Sequence, residues 1–110
     1  MSLDIDAAIK AALDAAKATI GTDWKKVRPI FEYHISNMRD LAELLEKNAG
    51  TIDSALYQYL LQARERDMKL AFLGLQVVGD ELLRRAVNAA VNAFAAAIST
   101  GLGLPTVVIV

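Results

Sequence analysis

Cysteine is absent from the 110 residues, while proline occurs twice, glycine six times and histidine once. No disulfide, thiol nucleophile or thiolate metal site can form, which fits a reducing compartment and makes the cytoplasm the default expectation. Few prolines and glycines leave room for long helices, because little in the chain breaks the backbone hydrogen-bond ladder. An excess of one charge is missing too. Twelve basic side chains stand against 13 acidic ones, which excludes a polyelectrolyte binder, and 55% hydrophobic residues exclude a disordered tail. The N-terminal stretch Met1 to Ile20 lacks the uninterrupted apolar run of a signal peptide, being punctuated by Asp4, Asp6, Lys10 and Asp14. Beyond Arg85 no charged side chain occurs at all.

What is abundant is alanine, at nineteen positions, and leucine, both of which lose little conformational freedom in a helix. β-Branched residues cluster only at the very end. The fold class expected is all-α: a three- or four-helix bundle of long amphipathic helices in one domain over residues 1–110, followed by a short apolar C-terminal tail. Ser2 or Asp4 caps a first helix whose row Ile5, Ile9, Ala12, Leu13, Ala16 and Ile20 is helical in spacing, and Gly21 stops it. Two starts are open for the next helix. Thr22 or Asp23 as cap would put Lys25, Lys26 and Arg28 in the first turns, against the dipole; Pro29 at the first helical position avoids this and leaves 22–28 as a turn or lead-in.

Trp24, Val27, Phe31, His34, Met38, Leu41 and Leu45 follow one another at spacings of 3, 4, 3, 4, 3 and 4, the seam of a helix lying along a neighbour at a shallow angle. Asn48 to Gly50 ends that helix, and Thr51 or Asp53 starts another. It has two apolar edges, one with Ile52, Leu56, Leu60 and Ala63, the other with Tyr57, Leu61, Met68, Ala71 and Leu75. From Leu70 to Val78 only Gln76 is polar, so that stretch is expected to be buried all round. Gly79-Asp80 either divides the following helix from this one or is passed through. From Asp80 to Thr100 an apolar row, Leu83, Val87, Ala90, Phe94 and Ala97, opposes Glu81, Arg85, Asn88, Asn92 and Ser99, which reads as a solvated face, the other reading being that Asn88 and Asn92 face a partner helix and fix its register. No helix is expected after Gly101, and Val107 to Val110 covers a groove on its own subunit or lies on another.

No constellation carries chemistry. His34 has Ile30, Phe31, Asn37 and Met38 one turn away, none of them a carboxylate, and Glu32 at two residues points elsewhere, so no metal site is expected. Tyr33, His34 and Ser36 face different ways on a helix, and Gly74 and Gly79 lack the strand and lysine of a phosphate loop. Trp24-Lys25-Lys26-Val27-Arg28 joins cations to an aromatic, yet the same cations suit the carbonyl end of the first helix, so nucleic acid is a disfavoured partner. The expectation is therefore neither an enzyme nor a cofactor protein but a structural or interaction module that self-associates through apolar helix packing, with a heterologous protein as a further partner class. Candidate interface residues are Phe31, His34, Met38, Leu41, Leu45, Phe72, Leu75, Val78, Val107 and Ile109. The alternative is a small membrane-associated or membrane-active protein using residues 83–110, since Arg84-Arg85 precedes an uncharged run; alanine, asparagine and the breakers Gly101, Gly103 and Pro105 weigh against a spanning segment.

Overall fold

The first helix, α1, runs from Ile5 to Ile20 and is capped by Asp4, whose carboxylate accepts from the Ala7 N–H at 3.0 Å. The computed structural model describes residues 3–73 and 78–109, which are all-helical apart from turns and the tail. Gly21 adopts φ 75° and closes α1 by donating its N–H to the Lys17 carbonyl, a backbone conformation that a side chain would strain. A 3-10 turn over Gly21–Asp23 then leads into α2, Trp24–Ser36. Of the two starts expected for this helix the earlier one is found: Asp23 is the N-cap residue, without a side-chain cap hydrogen bond, Trp24 is the first helical residue, and Pro29 lies inside the helix. The cations in the first turns are offset by acids: Asp23 sits 3.1 Å from Lys26, and Glu32 lies 3.1 Å from Arg28.

The long seam helix is divided. After Ser36 the chain makes a turn at Asn37 and Met38 before α3, Arg39–Lys47, so the segment count rises to five α-helices among the described residues. The seam nevertheless continues through the turn, because Val27, Phe31, Ile35, Met38, Leu41 and Leu45 are all buried. Ile35 fills the position that the spacing rule gave to His34, which is only half-buried. A true helix advances 3.6 residues per turn, and steps of four from Val27 to Phe31 to Ile35 keep an apolar side chain pointed inward where a step of three would have chosen the imidazole.

Asp53 caps α4, Ser54–Ala71, accepting from Ala55 N–H at 2.7 Å. The last helix, α5, spans Asp80–Leu102, so residues 52–100 form two helices. Its end comes later than expected. Gly101 stays helical, where a Cβ would meet the Leu3 side chain at 2.5 Å, and Gly103 at φ 67° is the true stop.

α1 packs chiefly on α5. Alanines make this approach close: Ala8, Ala12 and Ala16 on one side and Ala86 and Ala90 on the other are fully buried, with Val87, Val91, Phe94 and Ile98 filling the remaining space. α4 lies against α5 and α2. One cluster of buried residues draws on all five helices and the tail.

Past Gly103 the chain turns back along α5. Asn92 holds it with both ends of its amide, donating to the Ile109 carbonyl at 2.9 Å and accepting from the Ile109 N–H at 2.6 Å. Ser99 holds it again, donating to the Pro105 carbonyl at 3.1 Å. The row read as a solvated face is therefore corrected at two positions: Asn92 and Ser99 face the tail, supplying the hydrogen bonds that an extended segment beside a helix cannot make with a strand.

Candidate interaction surface

Most of the candidate interface residues lie inside the subunit. Phe31, Met38, Leu41, Leu45 and Phe72 are buried by their own chain, as are Val107 and Ile109 of the tail. Phe31 stacks between Trp24, at 5.5 Å between ring centroids, and Phe72, at 4.7 Å. These residues are corrected from surface to core, and the seam they form is intramolecular. The physical reason is the turn at Asn37-Met38 and the reversal at Gly103, which fold both apolar segments back on the chain. Val78 is half-buried, and Leu75 lies outside the described residues.

The stretch from Leu70 to Val78, expected to be buried all round, departs from that expectation in its described part. Phe72 points inward, while Leu70 and Leu73 point out. Leu70 continues a row along the outer face of α4, where Leu56 is 49% exposed, Tyr59 64% and Leu70 57%, and Leu73, 70% exposed, lies in the turn just beyond the helix. The opposite face of the same helix carries the fully buried Tyr57, Leu61 and Met68. Of the two apolar edges read from the sequence, the one with Tyr57, Leu61 and Met68 is core, while in the other Ile52 and Leu60 pack partly against the core and only Leu56 is exposed. Ala63, half-buried, and Arg66, exposed, complete the outer row, so Arg66 is its one formal charge.

This row owes its position to the inner face. Tyr57 is wholly buried, and its hydroxyl donates to the Ala95 carbonyl at 3.0 Å and touches Ser99 Oγ at 3.0 Å. Two hydroxyl protons serve three contacts, since Ser99 Oγ also reaches Pro105, so one proton is shared. Burial pushes the Tyr57 phenol above its usual range, and the Ser99 contact draws it partly back. The network fixes the rotation of α4 about its axis and thereby turns Leu56, Tyr59, Leu70 and Leu73 toward solvent.

Several concavities lie among the described residues, two of them beside the charged and aromatic clusters read from the sequence. A groove of about 570 Å³ between α1 and α2 is lined by Lys10, Lys17, Lys25 and Arg28 together with Asp6, Asp14 and Glu32, a mixture of signs with only a small positive excess. A smaller one of about 280 Å³ brings Tyr33, His34 and Asn37 of the α2 end toward Arg64 and Asp67 of α4, above Met38 and Met68. Tyr33 and His34 meet edge to face at 5.2 Å. No group of three His, Cys, Asp or Glu side chains able to hold a metal occurs among the described residues. Trp24 of the basic cluster is half-buried against Phe31.

No helix among the described residues is long and apolar enough to cross a membrane. In the segment from 83 onward, Leu83, Val87, Phe94, Ile98, Val107 and Ile109 all face the core. No family model, no curated protein and no solved structure matches this chain. The sequence signal for the outer row was the spacing of Leu56, Tyr59, Ala63, Arg66, Leu70 and Leu73, obscured because apolar residues occupy both faces of α4.

Proposed function

We propose that this chain is a helical-bundle interaction module that associates with copies of itself through the outer face of α4. The observation that carries the reading is the row Leu56, Tyr59 and Leu70 on one face of α4, with Leu73 in the turn just beyond it, four large apolar side chains about half or more exposed. Large apolar side chains exposed along one helix, in two pairs with Arg66 between them and polar neighbours such as Gln58, Gln62 and Asp67 beside them, support an association site. Because each side chain is already partly buried, covering the rest contributes roughly half to two thirds of the ~1.5–3 kcal/mol of a full burial, before the cost of association. The mechanism is apolar packing.

The test is the mass in detergent-free solution, by light scattering behind a sizing column over a range of concentrations, for the unaltered chain and for Leu70→Glu. A discrete multimer that persists on dilution, reduced to monomer by the substitution with helical content unchanged, is the expected result. An unaltered chain that is monomeric throughout overturns the proposal, as does a multimer that Leu70→Glu leaves intact.

A further inference from the structure

Ion pairing changes the charge balance of the groove of about 570 Å³ between α1 and α2. All three acids of its lining are committed: Asp14 to Lys10 at 2.6 Å, Glu32 to Arg28 at 3.1 Å, and Asp6 to Arg39, which reaches across from α3 and is not part of the lining. Two ammonium groups of the groove remain, those of Lys17 and Lys25, with no acidic partner at ion-pair distance among the described residues. The uncommitted charge is therefore greater than the bare excess of one cation over the acids of the lining.

Both lysines stand at the same end. On α1 the lining runs from Asp6 to Lys17 and on α2 from Trp24 to Glu32, and the 3-10 turn over Gly21–Asp23 joins the late end of α1 to the early end of α2. Lys17, Trp24 and Lys25 thus gather at the turn, while the Asp6–Arg39 pair shows that the chain beyond α2 returns to the start of α1. Helix dipoles leave the sign at the turn to the side chains, because the carbonyl end of α1 and the amide end of α2 meet there and offset each other.

The floor of the groove is apolar. Ile9 and Leu13 of α1 and the indole of Trp24 line it, and Trp24 is seated against the fully buried Phe31 at 5.5 Å between ring centroids. From Asp6 to Lys17 the helix rises roughly 16 Å, longer than a ten-carbon acyl chain at no more than ~1.5 Å per bond. An apolar concavity of this size with a few polar groups converging at one end is the common form of a small-ligand site. A nucleic acid would need a row of cations for successive phosphates, whereas two lysines at one end supply a single anchoring point.

We propose that this groove binds a small monocarboxylate with an apolar chain, its carboxylate held by Lys17 and Lys25 at the turn and its chain lying over Trp24, Leu13 and Ile9. The site is separate from the outer face of α4, and its occupancy does not depend on self-association. Charge fixes the end at which the acid group sits, and the floor accepts the chain.

Trp24 is the only tryptophan, so its fluorescence reads the groove directly. The full chain is titrated with decanoate, below the concentration at which that acid aggregates, and in parallel with decanol and with acetate, which carry the chain and the charge alone. The expected result is a saturable change at one equivalent per chain with Kd below about 1 mM, and a response to either partial probe at least about tenfold weaker. The double variant Lys17→Gln/Lys25→Gln, with helical content unchanged by circular dichroism, should bind decanoate roughly tenfold more weakly and decanol as before, the scale of two ion pairs at a solvent-open site. Decanoate that binds no better than decanol, or a double variant that binds it as well as the unaltered chain, overturns the proposal, as does a response that never saturates. Anionic phosphatidylglycerol vesicles that shift the Trp24 emission where free decanoate does not would overturn it as well, placing both lysines on a lipid surface.

Discussion

At Tyr57 a phenol with no exposure to solvent is held by two groups of α5 at once, and its ionisation is tied to the fold. The unfolded chain presents an ordinary tyrosine that loses its proton near pH 10. Burial raises the folded value, so above that pH the unfolded state releases a proton that the native state keeps. Stability contributed by this group is therefore fully present below about pH 10 and falls as pH rises beyond it. Tyr57→Phe should cost about 1 kcal/mol at neutral pH and flatten the alkaline decline, as read by urea denaturation from pH 8 to 11; an unchanged alkaline slope would count against the account. Little of this was legible from residue types. Asn92 and Ser99 share a row with Arg85 and Glu81, and nothing local distinguishes an amide facing water from one gripping a chain end that returns from seventeen residues away.

At the scale of the element, helix caps and ends were the most legible features. Asp4, Asp53 and Gly21 act where local chemistry places them, since a carboxylate before a helix and a glycine after it need no tertiary partner. The seam was legible as a seam but not in its membership. A heptad template selects His34, while the rotation of α2 buries Ile35, because the turn at Asn37-Met38 frees α2 from sharing one continuous helix with α3. Ile35→Ala should lower stability by about 2–5 kcal/mol, the usual range for emptying a filled core site, whereas His34→Ala should change it by less than about 1 kcal/mol. Chemical denaturation of both variants decides the matter, and a reversed order would restore His34 to the seam. α4 posed the opposite difficulty. It has apolar residues on two faces, and only the position of α5 and the tail shows which one the chain covers itself.

For the whole molecule, the core and the outer row of α4 are separate stores of apolar surface, one sealed within the chain and the other open to solvent, where the proposed self-association would bury it. The sealed core extends over all five helices and includes the tail, so each subunit has a folded state that does not depend on the row. Association adds to that stability by mass action, because it binds the native state and not the unfolded one. For a two-copy assembly under that proposal, a tenfold rise in concentration is worth about 1.4 kcal/mol per assembly, which for a unit of this size raises the melting temperature by roughly 3–5 °C. Leu70→Glu removes the linkage without touching the core, so its melting temperature should stay constant over the same concentrations. The two proteins should converge on dilution, where both melt as monomers. Scanning calorimetry over about two decades of concentration reads this directly. A melting temperature of the unaltered chain that does not move would mean that the exposed row of α4 adds nothing to the native state through a second copy. A Leu70→Glu variant that remains lower even at the dilute limit would place Leu70 in the core, contrary to its exposure.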